Sequence, residues 1–135
     1  MLRYKPDLAA RIALDHFWTI GAKSRELMEF LFAHGMNPNQ RDWLGATPLH
    51  HFARTGNIEA AEVYVRHGAD LDARDEDICS TPLGWASKFG KAEVVKLLLK
   101  HGAKVSLPDD PMWATPLAWA TRRGHSDVVA LLKSS

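Results

Sequence analysis

Histidine and cysteine are the residues of this chain best suited to catalysis or metal binding, and their spacing argues against both. There are seven histidines and one cysteine, Cys79. His50 and His51 are adjacent, so on a helix they point in different directions and lack the i, i+4 spacing of a two-histidine metal site. Cys79 could pair with either as nucleophile and base, but no orienting third residue or oxyanion-hole motif accompanies them. With no phosphate-cradling glycine loop and no Cys-x-x-Cys, we predict no catalytic residue, no metal and no cofactor.

Three other histidines belong to a regular pattern. Each precedes a glycine, at intervals of 33 and 34 residues, and two further markers recur with a period of 34 residues. These markers are Thr47-Pro48-Leu49, Thr81-Pro82-Leu83 and Thr115-Pro116-Leu117, the glycines Gly56, Gly90 and Gly124, and the pairs His34-Gly35, His67-Gly68 and His101-Gly102. Such a period indicates one supersecondary unit copied and stacked. Stacked repeats present an extended binding surface, so the pattern favours recognition over catalysis.

Each unit reads as two short helices followed by a polar turn. Thr81 is a good N-cap and Pro82 fits the first helical position, where its missing N–H has no intrahelical partner. Gly90 ends that helix, because glycine reaches the left-handed backbone at little cost. Residues 94–99 then place an apolar stripe on a second helix, which ends at Gly102. The sequence therefore predicts a helix-turn-helix repeat.

The unit resembles the ankyrin repeat, in which a projecting β-turn finger follows the two helices. Thr47-Pro48-Leu49-His50, with Gly56 and His67-Gly68-Ala69, matches the family pattern best. The resemblance implies an all-α ankyrin-repeat solenoid, eight helices in two layers, filling residues 1–135 as one domain. The four repeats would cover approximately residues 7–36, 37–69, 70–103 and 104–135. In the divergent first repeat we expect helices over Ile12–Gly21 and Ser24–His34.

The three fingers, residues 36–46, 69–80 and 103–114, depart from the family pattern. In the family, the histidine after Thr-Pro-Leu ties a finger to the helix start, and only His50 retains it. Gly84 and Ala118 replace that histidine, so we expect looser junctions there. Fingers 2 and 3 are each one residue longer than finger 1, and they carry Cys79 and Trp113 where finger 1 has Gly45. We expect these two fingers to adopt another turn type.

The resemblance also places the fingers and the first helices on a concave binding face. Six cations and six apolar residues would lie there, on the helix ends and the fingers. They are Arg41, Arg54, Arg74, Lys88, Arg122 and Arg123, with Trp43, Leu44, Ile78, Phe89, Met112 and Trp113. One interpretation is a solvated charged face with finger tips packed on one another. The other is a docking surface for a protein with an acidic or phosphorylated segment, since arginine suits planar bidentate contacts and tryptophan anchors interfaces.

Two further sets of residues read as structural. Each ring of the first set stands five residues before a helix-ending glycine, so stacking would align the rings, and inter-repeat packing is favoured over a ligand cage. That set is His16, His51, Trp85 and Trp119. The second set comprises turn-forming carboxylates that precede a helix. These are Asp42, Asp75 and Asp109.

Composition sets broad limits. The net charge is +1 and 46% of the residues are hydrophobic, which is ordinary for a globular domain and gives no bulk attraction to nucleic acid or membranes. Acidic finger residues such as Glu76 and Asp77 would also repel a phosphate backbone.

With one cysteine and no signal-like apolar segment, we expect a monomeric intracellular (cytoplasmic) protein, with export without a cleaved signal left open. The expected function is protein–protein interaction; the alternative is a regulatory or targeting domain of a larger protein.

Overall fold

The computed structural model describes residues 25–108 and 110–135, and this part of the chain is helical without strands. Its seven α-helices and one 3-10 helix are α1 (Arg25–Ala33), α2 (Pro48–Thr55), α3 (Ile58–Arg66), α4 (Pro82–Lys88), α5 (Ala92–Lys100), the 3-10 helix (Met112–Ala114), α6 (Pro116–Arg123) and α7 (Ser126–Lys133). The all-α prediction is thus confirmed. The helix expected over Ile12–Gly21 lies outside the described residues.

The helices form two layers. Helices α2, α4 and α6 are the first helices of their repeats and contact one another in that order. Helices α1, α3, α5 and α7 are the second helices and form the other row, while α2–α3, α4–α5 and α6–α7 pack as pairs. This is the helix-turn-helix solenoid that the repeat pattern predicts.

Local sequence signals begin and end the helices as expected. The Oγ1 atom of Thr81 accepts a hydrogen bond from the backbone N–H of Gly84 at 3.3 Å, and Thr115 accepts from Ala118 at 3.1 Å. These bonds satisfy N–H groups that have no partner within the helix. At the other end of α6, Gly124 has φ +72°, the left-handed conformation that terminates a helix.

The core lies between the two layers and continues through all the described repeats. Leu49 and Leu83 from the first helices, and Val94, Leu98 and Val128 from the second, are completely buried. Burying each such side chain contributes about 1.5–3 kcal/mol relative to leaving it in water. Because this core crosses every repeat boundary, a single repeat could not retain its stability alone.

Ion pairs join the second helices on the opposite side from the fingers. Glu29 of α1 accepts from His67 at 2.5 Å and from Arg66 at 3.0 Å. The His67 hydrogen bond is the main cause that lowers the pKa of Glu29. The His67 ring also stacks on Phe32, with centroids 4.3 Å apart. These contacts fix the register of α1 on α3.

His50 ties α2 to the next finger, as the resemblance implies. Its Nδ1 accepts from the backbone N–H of Thr47 at 2.9 Å, so the ring proton is on Nε2. Nε2 then donates to the backbone carbonyl of Ser80 at 2.9 Å. One buried ring thereby closes the start of a helix and holds finger 2.

At the next junction Ser80 takes over this role, and the expectation of a looser junction at Gly84 is wrong. Ser80 Oγ accepts from the indole N–H of Trp119 at 2.8 Å and lies 3.2 Å from the carbonyl of Ala114, the counterpart of Ser80 in finger 3. A Cβ atom at Gly84 would stand only 2.8 Å from Ser80 Cβ. Gly84 therefore provides the space that Ser80 needs.

The longer fingers have two different solutions, and neither repeats the hydrogen-bonded turn that residues 43 and 44 form in finger 1. Cys79 has φ +53°, so it retains the left-handed conformation of Gly45 despite its side chain. Asp42 accepts from the N–H of Ala46, four residues on, whereas Asp75 accepts from Ser80, five residues on, which absorbs the extra residue. Finger 3 does change, because Trp113 lies in the 3-10 helix.

We predict that Gly84→Ala destabilises the protein by about 1–3 kcal/mol, the usual cost of overpacking a rigid site. Alanine is ordinarily favoured over glycine in helices by roughly 0.5–1 kcal/mol. The matched control is Ala118→Gly at the equivalent position of α6, where the free energy of unfolding should fall only by that ordinary difference between alanine and glycine. Urea unfolding of both variants measures the effect, and a gain in stability for Gly84→Ala would contradict the Ser80 clash.

Candidate functional site

One cation from each of three repeats stands at the same position on the concave side. Arg54, Lys88 and Arg122 are separated by 34 residues and lie in the last turns of α2, α4 and α6. Adjacent first helices contact each other, so these side chains follow one another along the solenoid. A cation in the last turn also interacts favourably with the helix dipole.

Two of these cations surround a tryptophan. Lys88 Nζ lies 4.7 Å from the centroid of the Trp119 ring, and Arg122 Cζ lies 4.5 Å from it, both over the ring. Arg122 also donates to the backbone carbonyl of Trp113, whose ring meets Trp119 edge to face at 6.2 Å. We call Lys88, Trp113, Trp119 and Arg122 the Trp119 cluster. Cation–π contacts within about 6 Å are attractive, so the cluster holds two positive charges in place.

Two of the six predicted cations are engaged inside the fold. Arg41 Nη1 donates to the backbone carbonyls of Gly45 and Arg74, each at 2.8 Å, and so links fingers 1 and 2. Arg74 pairs with the nearly buried carboxylate of Asp110 at 2.8 Å, which links fingers 2 and 3. Removing Arg74 would leave the nearly buried Asp110 carboxylate uncompensated, and Arg41 joins two fingers through backbone carbonyls, so both arginines have structural roles.

The other four cations are differently placed. Within residues 25–108 and 110–135, no carboxylate lies within ion-pair distance of Arg54, Lys88, Arg122 or Arg123. Arg54, Arg122 and Arg123 are exposed and Lys88 is half-buried. The positive surface is thus narrower than the sequence suggested, and it follows the ends of the first helices.

The predicted apolar residues also divide into two groups. Trp43 and Met112 are 87% and 91% exposed at the tips of fingers 1 and 3, while Trp113 is 49% exposed. Phe89 is exposed beside Lys88, whose Nζ lies 5.4 Å from its ring centroid. Ile78, by contrast, packs against the core. The backbone carbonyl of half-buried Leu44 accepts from the N–H of Glu76 at 2.7 Å, which is a further link between fingers 1 and 2.

The aligned rings have a second role that the sequence reading missed. His51 Nε2 meets the carboxylate of Asp42 at 2.8 Å, and Trp85 Nε1 donates to Asp75 at 2.9 Å. The predicted inter-repeat packing is confirmed for His51 and Trp85, whose centroids are 5.7 Å apart, while His16 lies outside the described residues. Trp119 differs, because its indole N–H donates to Ser80 of finger 2 and not to an acceptor in the finger that precedes its own helix. For His51 and Trp85, the signal was a finger aspartate nine or ten residues before a ring with an N–H.

The finger aspartates are confirmed as structural at Asp42 and Asp75; Asp109 lies outside the described residues. Asp75 accepts from the backbone N–H groups of Asp77, Ile78 and Ser80 as well as from Trp85. Burial opposes ionisation of Asp75, but these hydrogen bonds outweigh it and lower its pKa. An ionised carboxylate is thus the centre of finger 2.

Comparison with known proteins agrees with this architecture. A family profile described as ankyrin repeats (3 copies) matches residues 18–109 and 67–135. The chain belongs to the ankyrin-repeat family. Two relatives from Arabidopsis thaliana share parts of it: the ADP-ribosylation factor GTPase-activating protein AGD4 is 40% identical over 50 residues, and AGD2 is 46% identical over 43 residues. The matches cover 37% and 32% of this chain but only 6% of each relative.

Ankyrin repeats are general protein-interaction modules and are typically non-catalytic. In the described part of the chain, no helix is long and apolar enough to cross a bilayer. Among these same residues, no three histidine, cysteine, aspartate or glutamate side chains are grouped as metal ligands.

The nucleophile–base pairing of Cys79 with His50 is not formed. Both ring nitrogens of His50 bond to the backbone, at Thr47 and Ser80, so neither is available to a thiol. Burial, the largest cause, lowers the pKa of His50 from 6.5 to about 4. The ring remains neutral at pH 7, as its role as an acceptor at Nδ1 requires.

We predict that His50 makes stability depend on pH between about 6.5 and 4. In this range the unfolded chain binds a proton at His50 and the folded chain does not, so the free energy of unfolding falls as pH falls. The full loss is about 3 kcal/mol for this shift, at 1.36 kcal/mol for each pKa unit. Denaturant unfolding at a series of pH values measures the effect.

Two variants and one direct titration control this prediction. His101→Gln, at an exposed helix end, should retain the pH dependence of the wild type, whereas His50→Gln should reduce it. NMR titration of the folded wild type should show the His50 ring still neutral at pH 5. Protonation of that ring near pH 6.5 would contradict the prediction even if His50→Gln fails to fold.

Proposed function

We propose that this chain binds a partner protein through an acidic segment, which lies along the concave ends of the first helices. The observation that carries the proposal is the Trp119 cluster together with the nearby cations Arg54 and Arg123. Arg54, Lys88, Arg122 and Arg123 have no carboxylate partner among the described residues, although the chain as a whole is almost neutral. A local excess of positive charge steers negatively charged partners and raises their rate of association.

The chemistry of the cluster favours carboxylate or phosphorylated side chains. A guanidinium group presents planar donors that match a carboxylate or a phosphate in a bidentate arrangement. Arg122 and Arg123 provide two such groups at the end of α6. Tryptophan and arginine are also enriched among the residues that dominate binding energy.

Nucleic acid fits this surface less well. Glu76 and Asp77 are exposed on finger 2, between the apolar tips of fingers 1 and 3. A phosphate backbone that follows the cations would carry one charge per nucleotide past these carboxylates, which disfavours it. A polypeptide can place its acidic residues only where the cations are, so the mixed charge of the face suits a protein partner.

A second candidate is a regulatory or targeting domain within a larger protein. The matched regions make up only 6% of the two ADP-ribosylation factor GTPase-activating proteins. In this alternative the acidic segment would belong to the same polypeptide. Mixing the isolated domain with the remainder of the full-length gene product, expressed separately, tests it by direct binding.

We predict that reversing the four concave cations abolishes capture of the partner. The variant replaces Arg54, Lys88, Arg122 and Arg123 by glutamate, and the measurement is retention of lysate proteins on immobilised chain. A matched control reverses the four exposed lysines Lys96, Lys100, Lys104 and Lys133, which gives the same net charge elsewhere. Retention by the wild type and the control alone supports the concave surface, and equal retention by all three chains contradicts it.

The two finger-tip tryptophans should behave differently when truncated. Trp43→Ala should leave the free energy of unfolding within about 0.5 kcal/mol, because the side chain is almost fully exposed. Trp113→Ala should cost about 1 kcal/mol, because it removes the edge-to-face contact with Trp119. Together the substitutions should weaken binding of a captured partner by about 2 kcal/mol or more. Unchanged affinity would show that the tips take no part.

A further inference from the structure

We infer that the acidic segment binds in a polyproline II conformation with one acidic residue at every third position. The inference rests on the proposed function and specifies its ligand. It follows from the spacing of the cation row, defined as Arg54, Lys88 and Arg122, and from the aromatic surfaces beside that row. The occupant is a carboxylate-bearing, proline-containing polypeptide.

The spacing of the cation row follows from the packing of the first helices. Arg54, Lys88 and Arg122 occupy equivalent positions on α2, α4 and α6, and each of these helices contacts the next. Packed helices have axes roughly 8–10 Å apart, so one cation recurs at about that interval.

The Trp119 cluster sets an upper limit on this interval for one pair. Lys88 Nζ and Arg122 Cζ lie 4.7 and 4.5 Å from the same ring centroid. Their separation is therefore at most about 9 Å, a limit that is compatible with helix axes roughly 8–10 Å apart. The contact with Trp119 also restrains the two side chains, so that the interval is held before a ligand arrives.

Among extended backbones, polyproline II matches this interval. It has three residues per turn and rises about 3.1 Å per residue, so residues i, i+3 and i+6 share one face about 9 Å apart. A β-strand places i and i+3 on opposite faces. An α-helix would need acidic residues six or seven positions apart, since it rises about 1.5 Å per residue.

The aromatic residues beside the row suit such a ligand. Phe89 is exposed next to Lys88, and Trp113 is about half exposed next to Arg122. Proline-rich segments commonly dock on aromatic surfaces, because their conformation is preformed and little entropy is lost. Prolines between the acidic residues would contact these rings while the carboxylates meet the cations.

Acidic groups nearby restrict the path of the segment. Glu76 and Asp77 are exposed on finger 2, whereas Asp42 and Asp75 are occupied by His51 and Trp85. A segment laid over the finger tips would meet Glu76 and Asp77. A segment on the helix ends meets Arg54, Lys88 and Arg122 in succession, which is the arrangement proposed.

Two synthetic peptides of identical composition test the inference. Each has twelve residues of glutamate, proline and alanine, with three glutamates spaced by three in one peptide and by four in the other. Spacing by four turns successive carboxylates about 120° apart on a polyproline II helix, so only one can face the row. Binding is measured at low ionic strength by NMR of the ¹⁵N-labelled chain, with the indole N–H of Trp119 as the reporter.

The peptide with spacing three should bind at least about fivefold tighter, the effect expected of one or two exposed ion pairs. Substituting Arg54, Lys88 or Arg122 by alanine should each remove part of that preference, whereas Lys100→Ala should not. Equal affinities, or binding of neither peptide, would overturn the inference about spacing. The charge-reversal capture experiment is independent of peptide register, so it decides separately whether the proposed function fails.

Discussion

The hydrogen bonds between first-helix rings and finger acceptors are the constraint on which the concave face depends. The fingers bury some apolar side chains, such as Met36 and Ile78, but their polar turns need hydrogen bonds to fix their position. Its turn N–H groups also need acceptors, because unpaired backbone groups are costly away from water. Asp75 meets both needs, since it accepts from three turn N–H groups and from the Trp85 indole. Fingers 1 and 2 are thereby each oriented by the helix that follows them.

The same arrangement prepares the binding surface. Trp119 cannot rotate freely, because its N–H is committed to Ser80 and its ring meets Trp113. Lys88 and Arg122 therefore approach a fixed ring, which reduces the side-chain freedom that a partner would otherwise have to remove on binding. The backbone carbonyls bonded by Arg41 and the carboxylate bonded by Arg74 similarly join successive fingers.

Sequence reasoning succeeded where the relevant interactions are local and failed where stacking decides them. Thr-Pro and the helix-ending glycines define the helices through bonds within a few residues, and these features are confirmed. The partner of Arg74 is Asp110, 36 residues away, and only the stacked fold brings the two together. Likewise, Gly84 suggested a missing tie to the next finger, because it replaces the histidine of the family pattern. Ser80 provides that tie through Ala114 and Trp119 of the next repeat, a contact that only the stacked fold creates. Trp43 is exposed, which agrees with the docking interpretation and not with finger tips packed on one another.

The junctions at His50 and at Ser80 differ in residues but retain one chemical principle. His50, Ser80 and the ring N–H groups all place a donor against an acceptor of an adjoining segment, so the fold tolerates different residues at these sites. Within the cation row, Arg122 makes such a tie to the carbonyl of Trp113, and both Lys88 and Arg122 contact the Trp119 ring. In the described ranges, none of Arg54, Lys88 and Arg122 has a carboxylate partner, and neighbouring like charges repel each other. These contacts account for Lys88 and Arg122 in part, whereas the proposed recognition of an acidic partner accounts for a cation at all three equivalent positions.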